Sequence, residues 1–317
     1  VLFICADQWR WDCFGFMGHK NAHTPNIDKL VSRSTAFRKH FTGIVPCGPA
    51  RTTMLTGLYP FIHRSVCNGT PLDNRFTNLP LEARKLGYQP SLYGYTDTSY
   101  DPRGLEDNDP RLFTYESPMN GFDPVCLLPE GNPEPWAEHL RQHGYKVEKT
   151  HELYNSRPAK KGEGFVYKAW EIPTELSDTS FLADRAAADL QNAKEPFFMH
   201  VSFLRPHPPL FVSEPWHSLI DPKSIKPPIT RKTKKEMADH HPVLKNMMAK
   251  YDEKNSYPLE INFPELTDQD ISRIHAVYLG MCAEVDSNIG KILQALDDSG
   301  QADNTMVVFT SDHGEML

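Results

Sequence analysis

The sequence predicts an α/β fold, with a mostly parallel central sheet flanked by helices and long irregular insertions over one edge. Three observations carry this reading. Four short apolar runs, Val1–Ala6, Pro90–Tyr95, Pro196–Leu204 and Thr305–Ser311, are continuous rather than alternating, the pattern of strands buried on both faces. Helical patterns lie between them, as crossover helices do in a parallel sheet. Two stretches, 101–175 and 205–266, are rich in proline, charge and aromatics and lack periodicity; the second holds ten of the 27 prolines. Loops of that length in a compact domain are functional coverings or disordered segments.

The elements follow in order. After the first strand, Thr24-Pro25 opens a helix, because threonine caps and proline fits the first helical position. Ile27, Leu30 and Val31 share one face of it. Pro49 opens another helix that continues through Leu55 to Gly57, which leaves Cys47 at its N-terminus. Asp178–Ala193 is a third. The longest runs from Thr267 to about Asp298, with Ile271, Ile274, Tyr278, Met281, Val285, Ile289, Ile292 and Leu296 at helical spacing and Gly300 to close it. Residues 1–317 read as one catalytic domain whose insertions cover the C-terminal edge of the sheet, where open α/β sheets bind ligands. The chain opens on an apolar run without Met and stops just after a strand and a polar turn. We therefore expect a missing leader or a few residues before Val1, and a missing C-terminal part.

Composition narrows the class. The 317 residues are 39% hydrophobic and 24% charged, with a mean hydropathy of −0.52. No apolar run approaches the roughly 20 residues that span a bilayer, so no membrane partner is expected. The net charge of −7 argues against nucleic acid, which needs a basic face. The block Arg231, Lys232, Lys234, Lys235 reads as a solvated loop. The six cysteines are scattered without a CxxC; several sit in apolar runs as buried thiols, and a cytoplasmic location is expected.

Strand ends carry the chemistry. "CADQW" delivers Asp7 and Gln8, and "TSDHGE" delivers Asp312 and His313. If both strands are parallel and central, two carboxylates, an amide oxygen and an imidazole meet at one place. Either motif alone reads more simply as a turn-capping aspartate; the pair points to a divalent metal. Oxygen ligands alone suit Ca2+ or Mg2+, and imidazole moves the preference toward Mn2+, Fe2+ or Zn2+. Cys47, at a helix N-terminus with Arg51 one turn on, looks like sulfur at the mouth of an anion site. A tyrosine-phosphatase loop needs about five residues between its cysteine and arginine to wrap a phosphate; three stand here, so that reading fails.

C-G-P-A-R followed by T-T-M-L-T-G, residues 47–57, resembles the signature of the sulfatase family, in which the cysteine is oxidised to formylglycine. "DQWRWD", "HTPNIDKL" and "TSDHGE" are similar to that family's other landmarks in the same order, so the resemblance covers essentially the whole chain. "NGTPLD", "GYTDTSYDPR" and "RPHPP" resemble the phosphonate monoester hydrolase and arylsulfatase branch, whose members cleave sulfate esters and phosphodiesters as well. The resemblance implies an alkaline-phosphatase-like fold and a small-molecule sulfate or phosphonate ester as substrate. It implies one divalent metal ion, Mn2+ or Fe2+ first and Ca2+ or Zn2+ next, and formylglycine-generating machinery acting on the unfolded chain. Relatives often assemble, which leaves a homo-oligomer open. In the family's chemistry the aldehyde hydrates to a geminal diol; one hydroxyl attacks sulfur or phosphorus, and the other later expels the anion by C–O cleavage.

Residue by residue, the resemblance implies that Asp7, Gln8, Asp312 and His313 hold the metal. Arg51 would stabilise the nucleophile and the transferring group. Asn68 would bond the substrate oxyanion, and His207 would contact substrate oxygens or protonate the leaving alcohol. Tyr95 and Thr96 would line the pocket. One departure stands out: Asp97 occupies a position where threonine is expected, and a carboxylate there would repel a dianion. Two alternatives are weaker. An alkaline-phosphatase-like enzyme with an unmodified nucleophile would carry Ser or Thr at position 47, and a non-catalytic homologue would have lost ligands that this chain keeps.

Overall fold

Five parallel strands, rather than four, form the sheet. The computed structural model describes residues 1–155, 158–193, 196–226, 228, 233–251 and 258–316. Among them β1 (Leu2–Ala6), β2 (Pro90–Gly94), β3 (Asp123–Leu127), β4 (Phe198–Phe203) and β5 (Val307–Ser311) stand in the order β3-β2-β4-β1-β5. Every pairing is parallel. The helices are α1 (Pro25–Ser32), α2 (Cys47–Thr56), α3 (Pro60–His63), α4 (Leu79–Lys85), α5 (Glu134–Gln142), α6 (Asp178–Gln191), α7 (Trp216–Leu219), α8 (Lys234–His240), α9 (Pro242–Tyr251) and α10 (Asp268–Asp298). None is long and apolar enough to cross a membrane.

Alternate residues of β1 enter different cores. Leu2, Ile4 and Ala6 join the large cluster built with α6 and α10. Phe3 joins Leu92, Phe198, Leu55 of α2 and Ala83 of α4 on the opposite face. Both faces are therefore covered, which is why the strand sequences do not alternate. Each fully buried Leu or Ile contributes roughly 1.5–3 kcal/mol.

Register positions the site. Ala6 pairs with Phe203 on one side and Ser311 on the other, so β1, β4 and β5 end at one level. Asp7, Leu204 and Asp312 leave the sheet together. β5 is the edge strand of the described sheet and only partly buried, not the central strand that the sequence suggested.

Other expectations need correction. β3 lies inside the stretch taken as an insertion; Pro124 lacks the N–H that a central strand requires, and an edge position with a bulge opposite Leu92 and Tyr93 tolerates it. The same stretch holds α5, whose short buried stripe of Trp136, Ala137 and Leu140 is too brief to announce itself. The two insertions also pair with each other through Phe165 and Ile261. Thr24 does not cap α1; its hydroxyl donates to Asp28. Asp286 of α10 takes the N–H groups of Asn26 and Ile27 instead, at 3.1 and 2.8 Å, which pins α1 to the long helix. α10 begins with a capping box between Thr267 and Asp270. Of the basic block, Arg231 and Lys232 lie outside the described residues; α8 starts at Lys234 behind its own capping box, so that end is helix rather than loop. The six cysteines are free and all but Cys67 are buried.

Gly94 ends β2 at φ +98°, and a Cβ there would fall 1.9 Å from the Ser202 carbonyl oxygen. Gly94→Ala combines backbone strain with a clash against a strand that has no room to move. We expect it to lower unfolding free energy by more than about 3 kcal/mol in denaturant titration. A loss under 1 kcal/mol would show that β2 and β4 separate easily.

Candidate active site

The C-terminal ends of β1, β2, β4 and β5 converge on the start of α2. Pro46 is extended and Cys47 is the first helical residue, with Gly57 in the left-handed region to end the helix. Cys47 Sγ lies 3.4 Å from Asp7 Oδ1 and 3.2 Å from His313 Nε2. The donor atoms of Asp7, Cys47, Asp312 and His313 all lie within 4.8 Å of one another. Residues from opposite ends of the chain therefore meet, and Cys47 sits among them.

Arg51 is buried beneath this group. Its Nε donates to Asp312 at 2.9 Å and its Nη2 to Asp7 at 3.3 Å. Nη1 donates to the Tyr95 carbonyl at 3.0 Å and to Ser202 Oγ at 2.6 Å. The guanidinium also lies 4.3 Å from the Tyr95 ring centroid, and the Tyr95 hydroxyl donates to Asp7. Every guanidinium nitrogen of Arg51 has a protein partner, two of them on the carboxylates of the cluster. Ser202 was not singled out in the sequence; its one signal was a hydroxyl inside the apolar run Pro196–Leu204.

The remaining candidates divide. Gln8 has φ +63°; its N–H donates to Asp312 Oδ1 at 3.0 Å and its side-chain amide nitrogen to Glu315, which leaves Oε1 as its acceptor. Asn68 is exposed, and its Oδ1 accepts the Gly48 N–H at 2.9 Å, leaving its NH2 as the free-standing donor group. A Cβ on residue 48 would fall 2.8 Å from the Asp97 carbonyl oxygen, so glycine lets the segment that follows β2 approach. Thr96 faces elsewhere: it donates to the Ser117 carbonyl and accepts the Met119 N–H, pinning a loop. His207 Nδ1 lies 2.5 Å from the Pro208 carbonyl, which places a proton on Nδ1 and leaves Nε2 as the other ring nitrogen for chemistry.

The α2 N-terminus is less open than a bare anion cradle. Pro49 has no N–H, the Gly48 N–H is on Asn68, and the Ala50 N–H bonds the Pro46 carbonyl at 3.0 Å. What remains there is chiefly the dipole, worth about 0.3–1 kcal/mol.

Electrostatics separate the two carboxyls. Burial alone would raise Asp7, but the charges of His207, Arg51 and His313 outweigh it and hold Asp7 below its ordinary range. Burial, then the Asp7 charge, pushes Asp312 up. Burial followed by Asp7 and Asp312 also raises the Cys47 thiol far above its usual value. His207 is raised: burial works against it, and the charges of Asp7 and Glu130 prevail. A buried pair of carboxyls that one arginine cannot fully neutralise, beside an imidazole and an amide oxygen, is a donor set that fits a divalent cation.

Fold and centre together define a class. A sequence model of the family Sulfatase matches the chain over residues 1–317, and the protein belongs to that family. Among its relatives, the multifunctional alkaline phosphatase superfamily protein PehA of Trinickia caryophylli is 36% identical over the whole chain and 63% of its own length. The phosphonate monoester hydrolase of Agrobacterium radiobacter superposes with a TM-score of 0.91 at 40% identity, over 99% of this chain and 62% of that one. The phosphonate monoester hydrolase SpPMH of Silicibacter pomeroyi gives 0.90 at 39%, over 100% and 62%. The chain thus spans a little over three-fifths of the length of these relatives.

Asp97, absent from the expected ligand set, is buried with φ +49°. Burial, then the charges of Asp7 and Glu116, push its carboxyl up to about 8 against the opposing pull of Arg51. A raised folded value means that the native state keeps a proton which the unfolded chain gives up near 3.8. The associated stability is therefore fully present below about pH 4 and is lost as pH rises toward 8. In chelator-treated protein, the thermal midpoint of wild type should fall relative to Asp97→Asn between pH 5 and pH 8. Parallel profiles would show that Asp97 holds no such proton.

Proposed function

We propose that the protein hydrolyses phosphonate monoesters, sulfate esters and phosphodiesters, using a formylglycine made from Cys47 beside one divalent cation. The observation that carries this reading is the position of Cys47 Sγ, within 3.4 Å of Asp7 and 3.2 Å of His313 at the head of α2. Family membership supports the ester chemistry, and likeness to the phosphonate monoester hydrolases favours phosphonate substrates.

An unmodified thiol is poorly suited to this place. A thiolate is the reactive form of cysteine, and here burial and two carboxyls oppose it by far more than a helix dipole returns. Oxidation to an aldehyde by dedicated machinery removes the problem, since a hydrated aldehyde offers two hydroxyls from one carbon. Asp7 and His313 flank that position, which puts the hydrated aldehyde beside the groups that would hold the cation.

Asp7, Asp312 and His313, with Gln8 Oε1, would hold the cation, which when bound supplies Lewis-acid polarisation and neutralises charge. The mixed carboxylate–imidazole set favours Mn2+ or Fe2+, with Ca2+ and Zn2+ as competitors. Arg51 keeps both aspartates in place. The Asn68 NH2 donates to an oxygen of the ester, and His207, whose raised pKa favours the imidazolium with a proton on each nitrogen, donates the Nε2 proton to the departing alcohol. Tyr95 serves the centre through its bond to Asp7 rather than as a pocket wall. Residues 1–317 act as one catalytic unit.

Mass spectrometry of the peptide containing residue 47 should show aldehyde in active protein, and Cys47→Ala should lower turnover by at least about 10³-fold with folding and metal content retained. An intact thiol in fully active protein sinks the proposal. Asp312→Asn should reduce bound metal measured by elemental analysis; unchanged stoichiometry would remove Asp312 from the ligand set.

A further inference from the structure

Arg205 is a charged residue that the proposed chemistry leaves without a task. It follows β4 and is only 1% exposed. Its Nε lies 3.8 Å from Asp178 Oδ2 at the head of α6, and Tyr154 donates to that same carboxylate oxygen at 3.0 Å. Three aromatic rings enclose the guanidinium: Phe211 at 4.7 Å, and Tyr154 and Trp170 at 5.6 Å. Moving an ion into such surroundings costs several kcal/mol, which neighbours must offset.

The guanidinium's hydrogen bonds explain the placement. Nη1 donates to the His207 carbonyl at 3.2 Å and to the Pro209 carbonyl at 2.7 Å. These two carbonyls flank Pro208, whose own carbonyl accepts from His207 Nδ1. Arg205 thus grips the backbone on both sides of the peptide that orients the imidazole, while the His207 N–H bonds back to the Leu204 carbonyl at 3.0 Å. Asp178 and the ring box fix the guanidinium in turn.

We infer that Arg205 is a positioning residue for His207: its guanidinium, anchored by Asp178 and the rings, holds through Nη1 the loop that aims the imidazole at the leaving group. The inference rests on the leaving-group role given to His207 above. Lysine keeps the charge, but its single nitrogen cannot serve both carbonyls and also keep the planar contact with Asp178 and the rings, and a loss of aim of about 1 Å is costly to a proton transfer.

The test compares phenyl and 4-nitrophenyl phenylphosphonate with the metal-loaded, full-length protein. Nitrophenolate leaves without a proton and phenolate does not. Arg205→Lys should lower kcat on the phenyl ester by on the order of 10-fold or more and on the nitrophenyl ester by less than about 3-fold. It should add no further loss in a His207→Ala background, because the two residues act as one unit. Asp178→Asn, which loosens the guanidinium without removing it, should show the same selectivity, a larger loss on the phenyl ester than on the nitrophenyl ester, and carries the test if Arg205→Lys does not fold. Equal losses on the two esters, or additive losses with His207→Ala, overturn the inference and leave Arg205 a structural residue. If His207→Ala itself shows no preference between the esters, the His207 role fails and the inference with it.

Discussion

The clasp of Arg51 on Asp7 and Asp312 is the interaction on which the rest of the centre depends. Its three members come from β1, α2 and the end of β5, and all are buried. Removing one partner from a buried ion group costs about 3–5 kcal/mol, because the charges left behind are stranded. The group therefore has to assemble as a whole or not at all. It also has a built-in imbalance: two carboxyls face one guanidinium, and the structure answers by holding Asp7 ionised and pushing Asp312 toward its protonated form. A cation is what relieves that imbalance without displacing any member.

Cys47 inherits its position from that clasp. Arg51 stands one turn further along α2, so anchoring its guanidinium between β1 and β5 sets the rotation and height of the helix. Gly48 then lets the Asp97 backbone, three residues past β2, close against the helix, and Asn68 ties the Gly48 N–H. The residues between the cysteine and the arginine are thus spaced for packing as much as for recognition.

The sheet and the metal-type centre were legible because their signals are local. Continuous apolar runs report burial on both faces, and polar residues just past such runs report the C-terminal edge. Strand β3 was not legible, since Pro124 and a half-exposed edge erase that signal. Partner choice was not legible either. Thr24 and Thr96 each carry a hydroxyl in a suggestive place, yet one bonds Asp28 and the other braces residues 117–119; those outcomes are decided by contacts that no short window contains. Arg51 was visible as a cation near Cys47, but that it would face carboxylates rather than an anion depended on β1 and β5 being neighbours, a fact of topology.

Two kinds of scaffold meet at the centre, and they differ in how they hold their side chains. Asp7, Tyr95 and Asp312 leave paired strands and are tied to a buried guanidinium, so their geometry is determined by the sheet. Asn68 and His207 sit on loops and are aimed by single backbone bonds, one to Gly48 and one to Pro208. Loop residues keep a productive geometry only if something braces the loop itself. Arg205, with its carboxylate and ring box, has the form of that brace for His207, whereas Asn68 borrows its brace from α2. The carboxylates and the arginine of the centre are thus built into the core, whereas Asn68 and His207 are mounted on supports that can change without disturbing it.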